Sequence, residues 1–97
     1  MRPEIQVGSV VRSRAGRDSG RYMLVLALPR ENYALVADGR THKLEKPKLK
    51  KLRHLTPRPA LCTDIIARLQ RGEHVQDSSL RAALAELTAA DQPREEE

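Results

Sequence analysis

The sequence predicts a mainly β fold, in which four or five short strands with tight turns precede two short amphipathic helices. Up to residue 57, short apolar segments alternate with turns that contain glycine, proline or asparagine, a pattern typical of strands. Beyond residue 59, apolar residues recur at helical spacing. A chain of 97 residues is long enough for one compact domain and an appendage.

The first two strands flank a basic glycine turn. Residues 7–14 form the first strand, because the β-branched pair Val10 and Val11 favours extended backbone. Residues 16–21 then turn the chain, since glycine adopts positive φ without steric cost. Residues 22–28 form the second strand. Their apolar side chains do not alternate with polar ones, which predicts burial on both faces or a strand that curls through a small closed sheet.

Two further turns divide the next segment. Residues 29–32 form a turn, because proline presets φ and asparagine tolerates left-handed backbone. Residues 33–37 follow as the third strand. The pair Asp38 and Gly39 is a signal for a two-residue hairpin turn of type I′. Residues 40–44 would then return as a fourth strand.

The basic segment after the fourth strand has two interpretations. Its leucines at positions 49, 52 and 55 follow a helical spacing. We nevertheless predict a closing strand over residues 50–54, because four short strands leave an open edge that a fifth would cover. Residues 57–59, a Pro-Arg-Pro run, are predicted to form a stiff hinge.

Two amphipathic helices are predicted after this hinge. Cys62 or Thr63 caps the first, which ends at Gly72, and Asp77 or Ser78 caps the second. Their apolar faces either pack on the strands, which we favour, or dock a protein partner. These faces comprise Ile65, Ile66 and Leu69 in the first helix and Leu80, Ala83, Leu84 and Leu87 in the second.

Charge is segregated along the chain. Residues 1–57 hold thirteen Lys and Arg and five Asp and Glu, a balance of +8, whereas residues 58–97 hold five and eight, a balance of −3. A basic segment of this size attracts polyanions, because each neutralised phosphate releases condensed counterions. Nucleic acid is therefore the predicted partner. An anionic membrane surface and an acidic protein are the alternatives.

The composition argues against several other functions. Cys62 is the only cysteine, which excludes an intrachain disulfide and fits a reducing compartment. The longest apolar run is too short to span a bilayer, and residues 1–4 lack an apolar signal core, which together predict a cytoplasmic protein without membrane contact. Tyr22 and Tyr33 are the only aromatic residues, so RNA would be held mainly through charge and backbone.

Catalysis is not expected. Neither Cys62 nor Ser19 belongs to a visible pattern of nucleophile, base and orienting group, and the three histidines lack metal-ligand spacing. We therefore predict no enzyme, no cofactor and no metal.

The order of elements suits a small SH3-like barrel with a helical extension. Within residues 7–55, three blocks occur in order: residues 10–26 around the run AGRDSGR, residues 37–40 (ADGR) and residues 47–55 (PKLKKLRHL). The first block resembles a KOW motif, as found in ribosomal proteins and NusG-type transcription factors. The later blocks are similar to KOW-domain RNA-binding proteins related to large-subunit ribosomal proteins of the archaeal and eukaryotic kind.

This resemblance implies an SH3-like barrel that binds RNA, most often ribosomal RNA, without catalysis. It implies that residues 16–21 and nearby basic residues face the RNA. The predicted organisation is a barrel over residues 5–57, a helical extension over 58–90 and a disordered acidic tail over 91–97.

Two groups of basic residues are the candidate RNA contacts. Arginines beside the glycine turn can hold phosphate oxygens with charge-assisted hydrogen bonds, and Asp18 is expected to orient the turn or an arginine. A lysine-rich run forms the second group. The alternative function is an SH3-like interaction module that binds an acidic protein. The predicted RNA-binding residues are Arg12, Arg14, Gly16, Arg17, Gly20, Arg21, Lys43, Lys46, Lys48, Lys50, Lys51 and Arg53.

Overall fold

A computed structural model describes residues 5–91, which form five antiparallel strands in one open sheet and then two α-helices. The strand order is β4-β3-β2-β1-β5, so β4 and β5 are the two edges. The predicted mainly β class with two following helices is confirmed. The elements are β1 (Ser9–Ser13), β2 (Tyr22–Arg30), β3 (Tyr33–Ala37), β4 (Lys48–Lys51), β5 (Leu55–Leu61), α1 (Thr63–Gln70) and α2 (Asp77–Leu87).

The sheet is buried on both faces. Neighbouring strand residues point to opposite sides, so Val10 packs under the helices while Val11 faces the other way. Leu24 and its neighbour Met23 do the same, and all four side chains are fully buried. The helices therefore pack on the sheet. Residues 23–25 of the second strand are buried on both faces, which was one of the two outcomes predicted for residues 22–28, whereas Leu28 is exposed. The helix-side core comprises Val10, Leu24, Ala37, Cys62, Ile65, Ile66, Val75, Leu80 and Leu84; the opposite core comprises Val11, Met23, Val25, Ala34, Val36 and Leu55.

The turn between β2 and β3 is shorter than predicted. β2 continues through Pro29 and Arg30, and only Glu31 and Asn32 turn the chain. The β2–β3 register shifts beside this segment, and such an irregularity accommodates a proline that cannot donate a ladder hydrogen bond. Asn32 adopts a φ of 71°, the left-handed conformation that asparagine tolerates.

The hairpin predicted at Asp38 and Gly39 is wrong. Residues 38–47 form a loop, and residues 40–44 are not a strand. The side chain of Asp38 holds this loop, because its Oδ1 accepts hydrogen bonds from the backbone N–H groups of Arg40 and His42, both at 2.9 Å. An aspartate that satisfies nearby backbone donors in this way competes with strand pairing.

The fifth strand lies where a hinge was predicted. β4 ends at Lys51, the 3₁₀ turn Leu52–His54 follows, and β5 then pairs with β1. The predicted closing strand over residues 50–54 is therefore right at residues 50 and 51, which belong to β4, and wrong at residues 52–54. β5 contains the whole Pro-Arg-Pro run and crosses the predicted boundary at residue 57. Prolines are tolerated here because β5 is an edge strand with a register shift between its pairs to Val11 and Ser9.

Both helices lie close to their predicted positions. Cys62 is the N-cap of α1, and Gly72 follows its end with a φ of 80°. Gln76 is the N-cap of α2, so the predicted caps Asp77 and Ser78 lie inside the helix. Within residues 5–91, neither helix has the length and apolarity needed to cross a membrane. A 3₁₀ turn ends at residue 91, and the rest of the predicted acidic tail lies outside the described residues.

Candidate nucleic-acid interface

The glycine loop joins β1 to β2 and is closed by backbone hydrogen bonds. The N–H of Ser13 donates to the carbonyl of Arg21 at 2.8 Å, and the N–H of Gly20 donates to the carbonyl of Ser13 at 2.7 Å. Gly16 and Gly20 adopt φ values of 76° and 91°, which side chains with a Cβ rarely accept. The two predicted glycines therefore set the shape of the loop.

Asp18 anchors the tip of this loop to the rest of the fold. Its side chain is only 12% exposed, and its Oδ2 lies 2.9 Å from His42 Nε2 and 3.2 Å from Lys50 Nζ. These contacts tie the loop to residues 38–47 and to β4. Asp18 orients the turn as predicted, and its partners are a histidine and a lysine.

The ion pairs of Asp18 change its titration. Burial raises the pKa of the Asp18 carboxyl, but hydrogen bonds from His42 and Lys50, together with their positive charges, outweigh burial and lower the pKa below its ordinary value of 3.8. Because the folded pKa lies below the unfolded one, the stabilisation is complete above the unfolded value and is lost as the pH falls through the folded value.

Asp18→Asn is expected to lower the free energy of unfolding by about 1–2 kcal/mol at pH 7, because it removes a charged acceptor from two donors. The deficit should shrink as the pH falls below 3.8 and the wild-type carboxylate is protonated. Urea unfolding of the wild type and of Asp18→Asn between pH 7 and about pH 2 measures this difference in the free energy of unfolding.

Glu73→Gln is the matched control for this prediction. Hydrogen bonds from Arg71 lower the pKa of Glu73 as well, but this carboxylate is solvent-exposed and its ion pair is screened. We expect the control to unfold almost like the wild type. A deficit for Asp18→Asn that stays constant down to low pH would contradict the role of the Asp18 ion pairs.

The predicted arginines of the loop fall into two classes. Arg14 and Arg17 are exposed, and their side chains make no hydrogen bond or ion pair with any other residue in the range 5–91. Arg21 is held by the loop at residues 38–47: its Nη1 donates to Thr41 Oγ1 at 2.7 Å and lies 3.5 Å from Asp38 Oδ2. Arg14 and Arg17 therefore present their full charge to solvent.

Arg12 lies along the wall of the loop. Its Nε donates to the carbonyl of Gly20 at 3.4 Å, and its guanidinium stands 5.7 Å from the centre of the Tyr22 ring. These contacts orient the side chain and leave its terminal nitrogens available to a ligand.

The carboxylates next to the loop are turned inward. Asp18 and Asp38 are both buried, and each contacts a cation. Asp18 is the one acidic residue in the segment 14–21. Within residues 14–21 the exposed charges are therefore all positive, a condition that attracts anionic ligands such as phosphate.

The lysine-rich run does not act as one group. Lys50 has a side chain that is only 11% exposed and is committed to Asp18. The other members are exposed on the 38–47 loop, on β4 and on the 3₁₀ turn; they are Lys43, Lys46, Lys48, Lys51 and Arg53. Lys50 thus supports the loop, while its neighbours remain open to a ligand.

A comparison with models of known protein families and a search of curated proteins both gave no match. Function is therefore inferred from the residues themselves. Across the described part of the chain, no three His, Cys, Asp or Glu side chains come together in a way that would hold a metal ion.

Three arginines that were not predicted from the sequence lie beside the predicted site. Arg58 lies on β5 and joins Arg12 around a cavity of about 260 Å³. Arg40 and Arg81 join Arg21 around a second cavity of about 330 Å³ between the loop and α2. Arg58 could be found only once residues 55–61 were recognised as a strand, because the β5–β1 pairing brings it to the loop.

Proposed function

We propose that this protein is a non-catalytic, cytoplasmic RNA-binding protein that holds structured RNA, with ribosomal RNA as the leading candidate. The observation that carries the proposal is the glycine loop. It exposes Arg14 and Arg17 and buries its one carboxylate in ion pairs. Cys62 is a free, buried thiol, which suits a reducing compartment.

The proposed fold type is an SH3-like barrel of the KOW kind. Edge strands β4 and β5 are linked by the 3₁₀ turn Leu52–His54 alone, so the two edges of the open sheet are close along the chain. Lys50 of β4 reaches Asp18 in the β1–β2 loop, at a distance of 3.2 Å between Nζ and Oδ2, although β4 and β1 are not neighbours in the sheet. This contact supports a curled sheet.

RNA would be held through phosphates more than through bases. The guanidinium of Arg12 stands near the Tyr22 ring, and that of Arg30 lies 4.4 Å from the centre of the Tyr33 ring. A base that stacked on either ring would have to displace an arginine. Recognition therefore depends on the shape of the RNA and the spacing of its phosphates, as is usual for double-stranded RNA.

The test measures binding of the full chain to a structured ribosomal RNA fragment. Fluorescence anisotropy gives the association constant at each of a series of salt concentrations. With three or more phosphates neutralised, the logarithm of the association constant should fall with the logarithm of salt concentration with a slope of about −2 or steeper. An affinity without a salt slope would contradict the proposal.

Poly-glutamate is the charge control for this experiment. It carries a dense negative charge without phosphates, so we expect it to bind more weakly than RNA of the same number of charges. Equal affinities would contradict the RNA proposal and favour the acidic protein partner.

A further inference from the structure

A pocket of about 510 Å³ lies at the end of the sheet, where the β2–β3 turn meets the 3₁₀ turn Leu52–His54. Its volume is in the range of sites that hold a small molecule. The lining combines two cations with an amide, an aromatic ring and an aliphatic side chain. These residues are Asn32, Tyr33, Lys51, Leu52 and Arg53.

Backbone hydrogen bonds fix the walls of this pocket. Tyr33 stands directly opposite Lys51 in the β3–β4 ladder, so their side chains share one face of the sheet. The backbone N–H of Leu52 donates to the carbonyl of Asn32 at 2.9 Å, which ties the 3₁₀ turn to the β2–β3 turn. A strand pair and two connected turns therefore hold the lining residues together.

Asn32 presents an amide that has no partner within residues 5–91. The residue is exposed, and the turn holds its backbone at a φ of 71°. A side-chain amide offers a donor and an acceptor side by side. The edge of a nucleobase offers the complementary pair, whereas a phosphate diester has acceptors only. Asn32 therefore suits a base better than it suits a phosphate.

Lys51 and Arg53 place positive charge beside this amide. Both are exposed, and neither side chain forms a hydrogen bond or ion pair with another residue in the range 5–91. Among these residues no carboxylate lines the pocket, and the neighbouring Glu31 is exposed in the turn. The two cations can therefore bind the phosphate of a nucleotide whose base contacts Asn32.

The base would be held by its edge, without stacking on the Tyr33 ring. The guanidinium of Arg30 lies 4.4 Å from the centre of that ring and occupies the stacking position. Leu52 is half-buried against the core opposite the helices and supplies an apolar contact in the pocket. Asn32 and Leu52 thus form the part of the pocket that fits a base.

We propose that this pocket holds one unpaired nucleotide of RNA, with Asn32 on the edge of the base and Lys51 and Arg53 on its phosphate. That the nucleotide belongs to RNA rests on the proposed function, whereas the affinity of the pocket for a nucleotide does not. A base can enter only where it leaves the helical stack, so the site selects RNA with a bulge or a loop. It adds one base contact to recognition that otherwise depends on phosphates.

Asn32→Gly in the full chain tests the base contact. Glycine adopts a φ of 71° without strain, so the variant loses the amide and keeps the turn. The wild type should bind an RNA hairpin with one bulged adenosine about fivefold or more tighter than the same hairpin without the bulge, because asparagine pairs well with adenine. Asn32→Gly should reduce this preference to less than about twofold and leave the salt slope unchanged.

Two further variants separate the amide from the cations. Gln70→Ala removes an exposed amide from the end of α1, outside the pocket, and should keep the full preference for the bulge. Lys51→Gln combined with Arg53→Gln should weaken binding of both hairpins and reduce the salt slope by about two, because two phosphate contacts are lost.

The outcomes separate the pocket from the proposed function. If the wild type binds both hairpins with a salt slope but shows no preference for the bulge, or if Asn32→Gly keeps that preference, the pocket assignment is overturned and the function stands. If the wild type binds neither hairpin, the function fails, and the pocket is then judged by adenosine 5′-monophosphate alone.

Adenosine 5′-monophosphate is therefore the second probe. Titration followed by ¹H–¹⁵N NMR should give saturable shifts of the Asn32 side-chain amide and of the backbone amides of Lys51 and Arg53, whereas inorganic phosphate should leave the Asn32 amide unshifted. An unshifted Asn32 amide, or equal shifts at the Gln70 amide, would overturn the pocket. Saturable shifts without a preference for bulged RNA would assign the pocket to a free nucleotide in place of RNA.

Discussion

Gly39→Ala is expected to lower the free energy of unfolding by about 2–4 kcal/mol, since backbone strain and overpacking add at this position. Gly39 adopts a φ of 78°, and a Cβ there would lie 2.7 Å from the backbone carbonyl oxygen of Asp77 and 3.0 Å from Arg81 Cγ. The carbonyl belongs to the first residue of α2. It cannot yield unless the helix moves away from the sheet.

Two hydrogen bonds resist that movement. The backbone N–H of Leu44 donates to Asp77 Oδ1 at 2.8 Å, and Arg81 Nη1 donates to the carbonyl of Gly39 at 2.7 Å. The alanine methyl group therefore either breaks these contacts or distorts the 38–47 loop. Because that loop holds Arg21 and Asp18 through Thr41 and His42, the substitution should also loosen the glycine loop.

Gly72→Ala is the matched control. Gly72 has a φ of 80°, but among residues 5–91, apart from its chain neighbours, no atom lies within 4 Å of the position that a Cβ would take. Alanine there should cost only the left-handed backbone, about 1 kcal/mol. Urea unfolding measures both variants, and the difference isolates the contact with α2. Equal losses would show that this contact does not constrain Gly39.

Arg14→Glu combined with Arg17→Glu should weaken binding of the structured RNA about a hundredfold and reduce the salt slope by about two, because two phosphate contacts are lost and repulsion is added. Stability should change little, since neither side chain has a hydrogen bond or ion pair within residues 5–91. Fluorescence anisotropy in the salt series measures the affinity for RNA. Urea unfolding measures the free energy of unfolding.

Arg68→Glu combined with Arg71→Glu is the control with the same change in net charge. Both arginines lie at the end of α1 and pair with Glu73, away from the glycine loop. We expect a loss of affinity of about threefold or less, through the long-range field alone. If both double variants weakened binding equally, net charge would govern RNA binding and the loop would have no special role.

Elements that depend on near neighbours could be predicted from sequence. β3 occupies Tyr33–Ala37 as predicted, because a short apolar run between two turns has few alternatives. The two helices follow from the spacing of their apolar residues.

Elements that depend on distant partners were predicted wrongly. The pair Asp38 and Gly39 suits a type I′ turn as well as the observed loop, and contacts with α2 select the loop. The Pro-Arg-Pro run is a strand because β1 pairs with it from more than forty residues away. Local patterns contain no information on either partner.

The sequence by itself determined that positive charge is concentrated before residue 58 and that glycines shape a basic loop, because composition and backbone preference are local properties. Only the tertiary structure decided which cations form ion pairs and which residues meet at the loop. Asp18 engages Lys50, Asp38 engages Arg21, and β-sheet pairing brings Arg58 to the loop. The reason is physical: an ion pair or a shared pocket depends on distances in space, and these partners lie 17 or more positions apart along the chain.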